Sequence, residues 1–340
     1  MDLRIALLVL CALAVGTAPA VSQPATGFYK GRTISFLIGY GPGTGYDVYA
    51  RLLLRHMGRH IPGNPNMVPE NMPGAGSMVM VNHLYNVAAK DGTVIGMPAR
   101  NLVIEPLFGN AQAKFDGTKF TWIGSMTREV SLCFTWHTAG LTTLEDAKKR
   151  EVLVGATGLA SDSYIDPQLL NAVLGTRFKV VLGYPDSAAI GLAMERGELD
   201  GFCSFTYGSI KSARPQWLDQ HLITILAQLT VHPAPELKDV PLIMDMTKDE
   251  AARQAFELVF ANQEMGRPVA GPPGMPADRL AVLRTAFDAT MKDRQFLEDA
   301  ARTHIDIDAI TGAAIDELMA RMYATPKPVI DKVMAIRPKD

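Results

Sequence analysis

Four short apolar, β-branched runs in this chain each end in a turn bearing glycine and then give way to a segment with helical spacing. A chain that repeats strand, glycine turn and helix is driven towards parallel strands covered by helices. The first unit is TISFLIGY (33–40), the turn GPGTG (41–45), and a helix beginning at Asp47. Tyr49, Ala50, Leu53, Leu54 and Met57 form its apolar stripe, and Pro62-Gly63 ends it. The second is NMVPENM (66–72), the turn PGAG (73–76), and a helix opened by Ser77 with Met80, Val81, Leu84, Tyr85 and Ala88 inward. Asp91-Gly92 then turns the chain into TVIGMPA (93–99), and FTWIGSM (120–126) adds a further strand.

A second series starts near residue 130. SLCFTWH (131–137) reads as a strand, EVLVGATG (151–158) leads to a helix over 164–174, and KVVLGY (179–184) leads to a helix over 186–196 that Gly197 stops. DGFCSF (200–205) and LITILAQL (222–229) are further strands. From about 251 the pattern is mainly helical, with helices expected over 276–291, 312–322 and 326–335. Periodicity does not say on which sheet they pack. Two α/β halves of ordinary domain size follow.

Residues 1–20 stand outside this pattern. Arg4 precedes the apolar run 5–15, and Ala18-Pro19-Ala20 supplies small residues at −3 and −1. This predicts a secretory signal peptide cleaved after Ala20, and hence a periplasmic protein. No later apolar run approaches a membrane-spanning length. Only Cys133 and Cys203 remain after cleavage; an oxidising compartment permits a bridge between them, and sequence alone leaves it open. Lys plus Arg number 33 against 35 Asp plus Glu, so no basic surface points to nucleic acid. Any bound anion must be held by local geometry.

The strand-to-helix turns offer that geometry. Gly41, Gly43 and Gly45 let backbone amides approach a ligand, and the helix behind them presents free N–H groups and the positive end of its dipole. Gly43, Thr44, Gly45, Tyr46 and Asp47 are candidate ligand residues here. ENMPGAGS (70–77), GATGLASDS (155–163) and GYPDSAA (183–189) are turns of the same kind, and in an open α/β sheet all lie at the strand ends where ligands bind. Helix N-termini converging from two domains favour a carboxylate. Arg100 and Asn101 follow TVIGMPA on the same rim; Arg100 either clamps a carboxylate in bidentate fashion or is a solvated surface residue. Tyr40, Tyr46 and Tyr184 flank the turns, either as ligand walls or as ordinary packing.

Catalytic signatures are missing. The sequence contains no G-x-S-x-G, H-E-x-x-H or C-x-x-C, and Thr44 occupies the third glycine position of a dinucleotide fingerprint. His56 and His60 have metal-ligand spacing without an evident third ligand, and their place at a helix C-terminus suits the dipole. A secreted hydrolase would have Ser161 with a nearby histidine as its one faint candidate pair. The expectation is therefore a binding protein, not an enzyme, with no cofactor and no metal.

GPGTGYDVYAR (41–51), ENMPGAGS (70–77), KDGTVIGM (90–97), GELDGF (197–202) and GPPGMPADRL (271–280), in this order and spacing, resemble the Bug family, the TctC-like periplasmic solute receptors of tripartite tricarboxylate transporters. The resemblance covers nearly all of the chain after the leader. It implies a two-domain periplasmic-binding-protein, or flytrap, architecture. Each domain would be a mixed, mainly parallel sheet flanked by helices, with two interdomain crossovers and closure by hinge motion. Domain 1 would comprise 21–130 plus 251–340, and domain 2 would comprise 131–250. The resemblance further implies a monomeric receptor that captures a small carboxylate and delivers it to large and small membrane subunits of a transporter, or alternatively a ligand-sensing subunit of a signalling system. Carried over residue by residue, it adds Thr157, Gly158, Ser161, Asp186, Ser187 and Ala188 as second-domain contacts. The turn 41–46 departs from the family's commoner short Gly-Gly-Gly-Thr form, and GATGLASDS departs from its Gly-Ser-Ser-Gly type.

Overall fold

The computed structural model describes residues 25–159, 161–184 and 187–337. The expected signal peptide lies outside them. Eleven strands form two sheets. The first lobe holds β1 (Thr33–Ile38), β2 (Asn66–Asn71), β3 (Val94–Met97) and β4 (Thr121–Ser125). The second holds β5 (Ser131–Trp136), β6 (Val152–Gly155), β7 (Phe178–Val181), β8 (Gly201–Thr206) and β9 (Ile223–Leu229). Two late strands, β10 (Pro268–Gly271) and β11 (Ile310–Thr311), return to the first sheet. The strand orders are β11-β4-β10-β3-β1-β2 and β7-β6-β8-β5-β9. β1 pairs in parallel with β2 and β3, and β6 with β7 and β8, as the repeated strand–helix pattern requires; β10, β11, β5 and β9 enter antiparallel.

Among the described residues, twelve α-helices cover the sheets. They are α1 (Ala25–Phe28), α2 (Gly45–Met57), α3 (Met78–Asn86), α4 (Asp162–Leu174), α5 (Ser187–Glu195), α6 (Tyr207–Ala213), α7 (Pro215–Asp219), α8 (Glu250–Phe260), α9 (Ala277–Met291), α10 (Arg294–Arg302), α11 (Gly312–Tyr323) and α12 (Lys327–Ile336). Period-two burial in the strands splits each lobe into two apolar layers. In β1, Ile34, Phe36 and Ile38 face the layer made by α2, α9 and α10, while Leu37 faces the layer made by α3 and α11. In the second lobe Cys133 and Cys203 lie in the layer with α4, and Leu132, Phe134 and Phe202 lie in the layer with α5 and α7. Cys133 sits opposite Cys203 across β5 and β8, and the two are joined by a disulfide, which answers the question left open by sequence. At Gly124 the ring of Phe287 presses so close that a Cβ would collide with it, which is how α9 seats on β4.

Two findings differ from the sequence expectation. The resemblance places residues 251–340 in the first domain, whereas α8 and α12 pack in the core of the second lobe. Phe256, Val259, Val329 and Val333 there meet Leu169 and Leu170 of α4. β10 was not expected at all. It is four residues long, begins with proline and is buried on both faces, so it shows no alternation to detect. It nevertheless sits between β3 and β4 near the middle of the first sheet. The chain passes between lobes at 126–130, again at 261–267, and a third time at 324–326, between α11 on the first sheet and α12 in the second-lobe core. The first two segments hold each other, with Met126 N donating to Arg267 O (3.2 Å), Gly266 N to Thr127 O (2.8 Å) and Glu129 N to Gln263 O (2.8 Å).

Candidate functional site

The site is built from the turn that follows β1. Gly43 adopts φ 80°, a left-handed conformation that suits glycine. This lets its amide donate to Asp47 Oδ2 at 2.8 Å, and Thr44 caps α2. Asp47 is 3% exposed and is fully engaged. Arg51 Nε donates to both of its oxygens at 2.9 Å, and Asn71 Nδ2 donates at 2.9 Å. Asn71 also donates to Tyr40 O (2.8 Å) and accepts from Arg51, which ties the end of β2 to the end of β1. Burial works to raise the Asp47 pKa, but the bonds from Arg51, Asn71 and Gly43 outweigh it and hold the carboxyl at about 2. Asp47 therefore shapes the turn from within, and Gly43 spends its amide on that task. The free amides of the turn are those of the first helical residues, Gly45 and Tyr46.

Tyr46 connects two cations. Its ring stacks on Tyr40 with centroids 4.7 Å apart, and its hydroxyl accepts from Arg100 N at 3.1 Å. The guanidinium of Arg267 lies 4.8 Å from the Tyr46 ring and 4.7 Å from that of Tyr49. Arg267 is 7% exposed and pairs with buried Glu129 at 2.7 Å, and its Nε has no partner. A cavity of about 320 Å³ opens in front of it, lined by Gly43, Gly45 and Tyr49 from the first lobe and by Gly208 and Ser209 from the second. The glycine turn and the second lobe thus share one crevice.

The lobes also meet through charge. The Arg100 side chain, 11% exposed, reaches Asp162 in the first turn of α4 at 3.5 Å, and its Nε has no partner. Burial works against the Arg100 charge, but Tyr46, Asp162 and Glu129 raise its pKa overall. Burial raises the Asp162 pKa, opposed by Arg100. Asp166, one turn further along α4, is raised well above the ordinary value by burial and by Asp162, against the effect of the hydrogen bond from Ser204 Oγ. Lys211 of α6 pairs with Asp306 of the first lobe at 2.8 Å, and Asp306 lines the 320 Å³ cavity.

The remaining sequence candidates are placed as follows. Asn101 lines a narrow crevice with Glu105, Asp162 and Arg337. Thr157 N donates to Ser163 Oγ (3.3 Å), and Ser161 Oγ donates to Gly158 O (2.6 Å), so this turn is closed by its own hydroxyls. Tyr184 packs on the α5–α7 layer, and Ser187 and Ala188 open α5. Asp186 lies outside the described residues. His56 and His60 bond Asp299 (2.7 Å) and Asp293 (3.0 Å) on α10 and at its cap, joining two helices; among the described residues no cluster suited to a metal occurs. Sequence reasoning missed Arg267, Glu129, Asp162, Asp166 and the segment 208–209. Asp162 was within a quoted motif, and Arg267 directly precedes a proline strand; neither position announces a partner on the other lobe.

No protein-family model matches the chain, and no curated protein sequence matches it. Solved structures do. A TctC solute-binding protein from Polaromonas aligns over 89% of this chain and 99% of its own, with 20% identity and a TM-score of 0.69. MatC from Rhodopseudomonas palustris, solved with malate, covers 88% and 99% at 18% identity and 0.64. Another R. palustris protein, solved with adipate, covers 89% and 97% at 16% identity and 0.65. At these identities the likeness establishes the fold, which is the two-domain fold of TctC and Bug periplasmic solute-binding proteins.

Proposed function

We propose that this chain is an extracytoplasmic solute receptor that closes its two lobes on a small carboxylate and hands it to the large and small membrane subunits of a tripartite tricarboxylate transporter. The observation that carries this reading is that Arg267 and the amino end of α2 line a crevice shared with the second lobe, while Arg100 reaches the second lobe at Asp162. Charge-assisted hydrogen bonds contribute about 1.5–3 kcal/mol each, so a few of them support micromolar affinity. The neighbours solved with adipate and malate carry carboxylates in this fold. Secretion to the periplasm after cleavage at Ala20 and action as a monomer belong to the same reading.

Binding without chemistry on the ligand belongs to the same reading. Ser161, the one nucleophile considered from sequence, bonds Gly158 O and Ser163 Oγ. Thermal-shift and titration calorimetry against mono- and dicarboxylates and amino acids test the proposal. A ligand at a hundredfold excess over its Kd raises stability by about 2.7 kcal/mol. A folded protein that no carboxylate stabilises overturns it.

A further inference from the structure

The C-terminal helix α12 is held by both lobes. It follows α11, whose last residue, Tyr323, is fixed to the first lobe: its hydroxyl donates to Val103 O at 2.7 Å and accepts from Gly117 N at 2.8 Å. After the short link 324–326, the middle of α12 enters the second lobe, where buried Val329 and Val333 pack with α4 and α8. Just past the helix the chain grips the first lobe again. Arg337 Nη2 lies 2.6 Å from Glu105 Oε1, with side chains 13% and 8% exposed, and its guanidinium lies 4.4 Å from the centre of the Phe108 ring. Asn110 Nδ2 donates to the other Glu105 oxygen at 2.9 Å, so both oxygens of the carboxylate are held. Leu107 and Phe108 in turn pack against a core layer of each lobe.

Rotation of the lobes about 126–130 and 261–267 cannot leave this arrangement intact. The link 324–326 reaches only about 10 Å when fully extended, so α12 cannot drift far from Tyr323. Lobes that part must either strip Val329 and Val333 from the second-lobe core or draw Arg337 away from Glu105. The first returns apolar side chains to water, and the second leaves two largely desolvated charges without partners. The second is the smaller rearrangement, because it breaks contacts at the end of the helix and spares the core. The other pairs that span the lobes hold less firmly: Arg100 and Asp162 are 3.5 Å apart, and Lys211 and Asp306 are more exposed to solvent.

We propose that α12 is a clasp on lobe motion, which holds the two lobes together with no ligand added, and that the Glu105–Arg337 pair is its lock. The inference concerns the chain's own motion and is tested without any ligand, so its failure leaves the receptor reading standing. Spin labels on Val87→Cys in α3 of the first lobe and Leu192→Cys in α5 of the second, both exposed positions, report the distance between lobes by double electron–electron resonance. The full chain without other changes should give one narrow distance distribution. Arg337→Met, which keeps an apolar stem against Phe108 and removes the charge, should at least double the width of that distribution or add a longer-distance population. Glu105→Gln should do the same, and the double variant should do no more than either single one, because all three break one pair. Lys332→Met removes an exposed contact of α12 with Asp249 inside the second lobe and should leave the distribution unchanged. Two populations without the lock variants, lock variants that match the unchanged chain, a larger effect in the double variant, or equal broadening by Lys332→Met overturns the inference. Should the lock variants fail to fold, hydrogen exchange of the wild type decides. Protection of the 327–336 amides within tenfold of those in α4 supports the clasp, and faster exchange overturns it.

Discussion

Asp47 and Asp162 hold corresponding places in the two lobes. Each lies in the first turn of the helix that follows a rim turn, where the helix dipole favours a carboxylate. Their surroundings separate them. Asp47 accepts from Gly43, Arg51 and Asn71 within its own lobe, and its pKa is held at about 2. Asp162 is burdened by burial and by Glu105, its pKa is raised, and its one cation within ion-pair distance, Arg100, comes from the other lobe. A carboxylate satisfied locally builds the turn. One satisfied by a contact with the other lobe ties the two lobes together. The same residue type in the first helical turn is thus held within its own lobe in one case and across the lobes in the other.

The largest effect expected from this contrast is on stability. Asp47→Ala strips a hydrogen-bond partner from Gly43, Asn71 and Arg51 and should cost about 3 kcal/mol in urea unfolding of the first lobe. Asp162→Ala should cost the unliganded protein less than Asp47→Ala, because the carboxyl it removes is itself desolvated and is held by a single contact at 3.5 Å, which offsets part of the cost of leaving Arg100 unpaired. Equal losses in the two variants would break the comparison. Next in size, Arg100→Gln should weaken carboxylate binding about tenfold to a hundredfold in calorimetry, the worth of one charge-assisted bond, and should also lower the melting temperature, because Asp162 loses its one cation within ion-pair distance.

The two carboxyls should also bend the pH profile in opposite directions. Asp47 has a folded pKa below its unfolded one, so its contribution is present above the unfolded value of about 3.9 and is lost as pH falls towards 2. Asp162 has a raised folded pKa, so its contribution is present below about 3.9 and is lost as pH rises through its folded pKa. Asp47→Asn should therefore flatten the acid limb of the stability curve, and Asp162→Asn should stabilise the unliganded protein more at pH 7 than at pH 4. Melting temperatures from about pH 2 to pH 7 check both signs. The smallest effect is that of Tyr46→Phe, which removes the acceptor of the Arg100 amide and should cost about 1 kcal/mol of stability while leaving the ring stack in place.

The alternation of strand, glycine turn and helix was legible because it rests on local periods and on the backbone freedom of glycine. It located nine strands within a few residues and put the rim turns at the parallel strand ends. Sequence also marked Tyr40, Tyr46 and Arg100 as rim residues, and the structure places them together. Tertiary structure alone decided the insertion of β10, whose four buried residues carry no period, and the division of the C-terminal helices between lobes. It alone decided that Asp47 turns inward and that Arg100 meets Asp162 and Arg267 meets Glu129. Periodicity reports which face of an element is buried. The partner on the opposite wall is set by how two sheets are hung on segments 126–130 and 261–267, and that distance in sequence leaves no local trace.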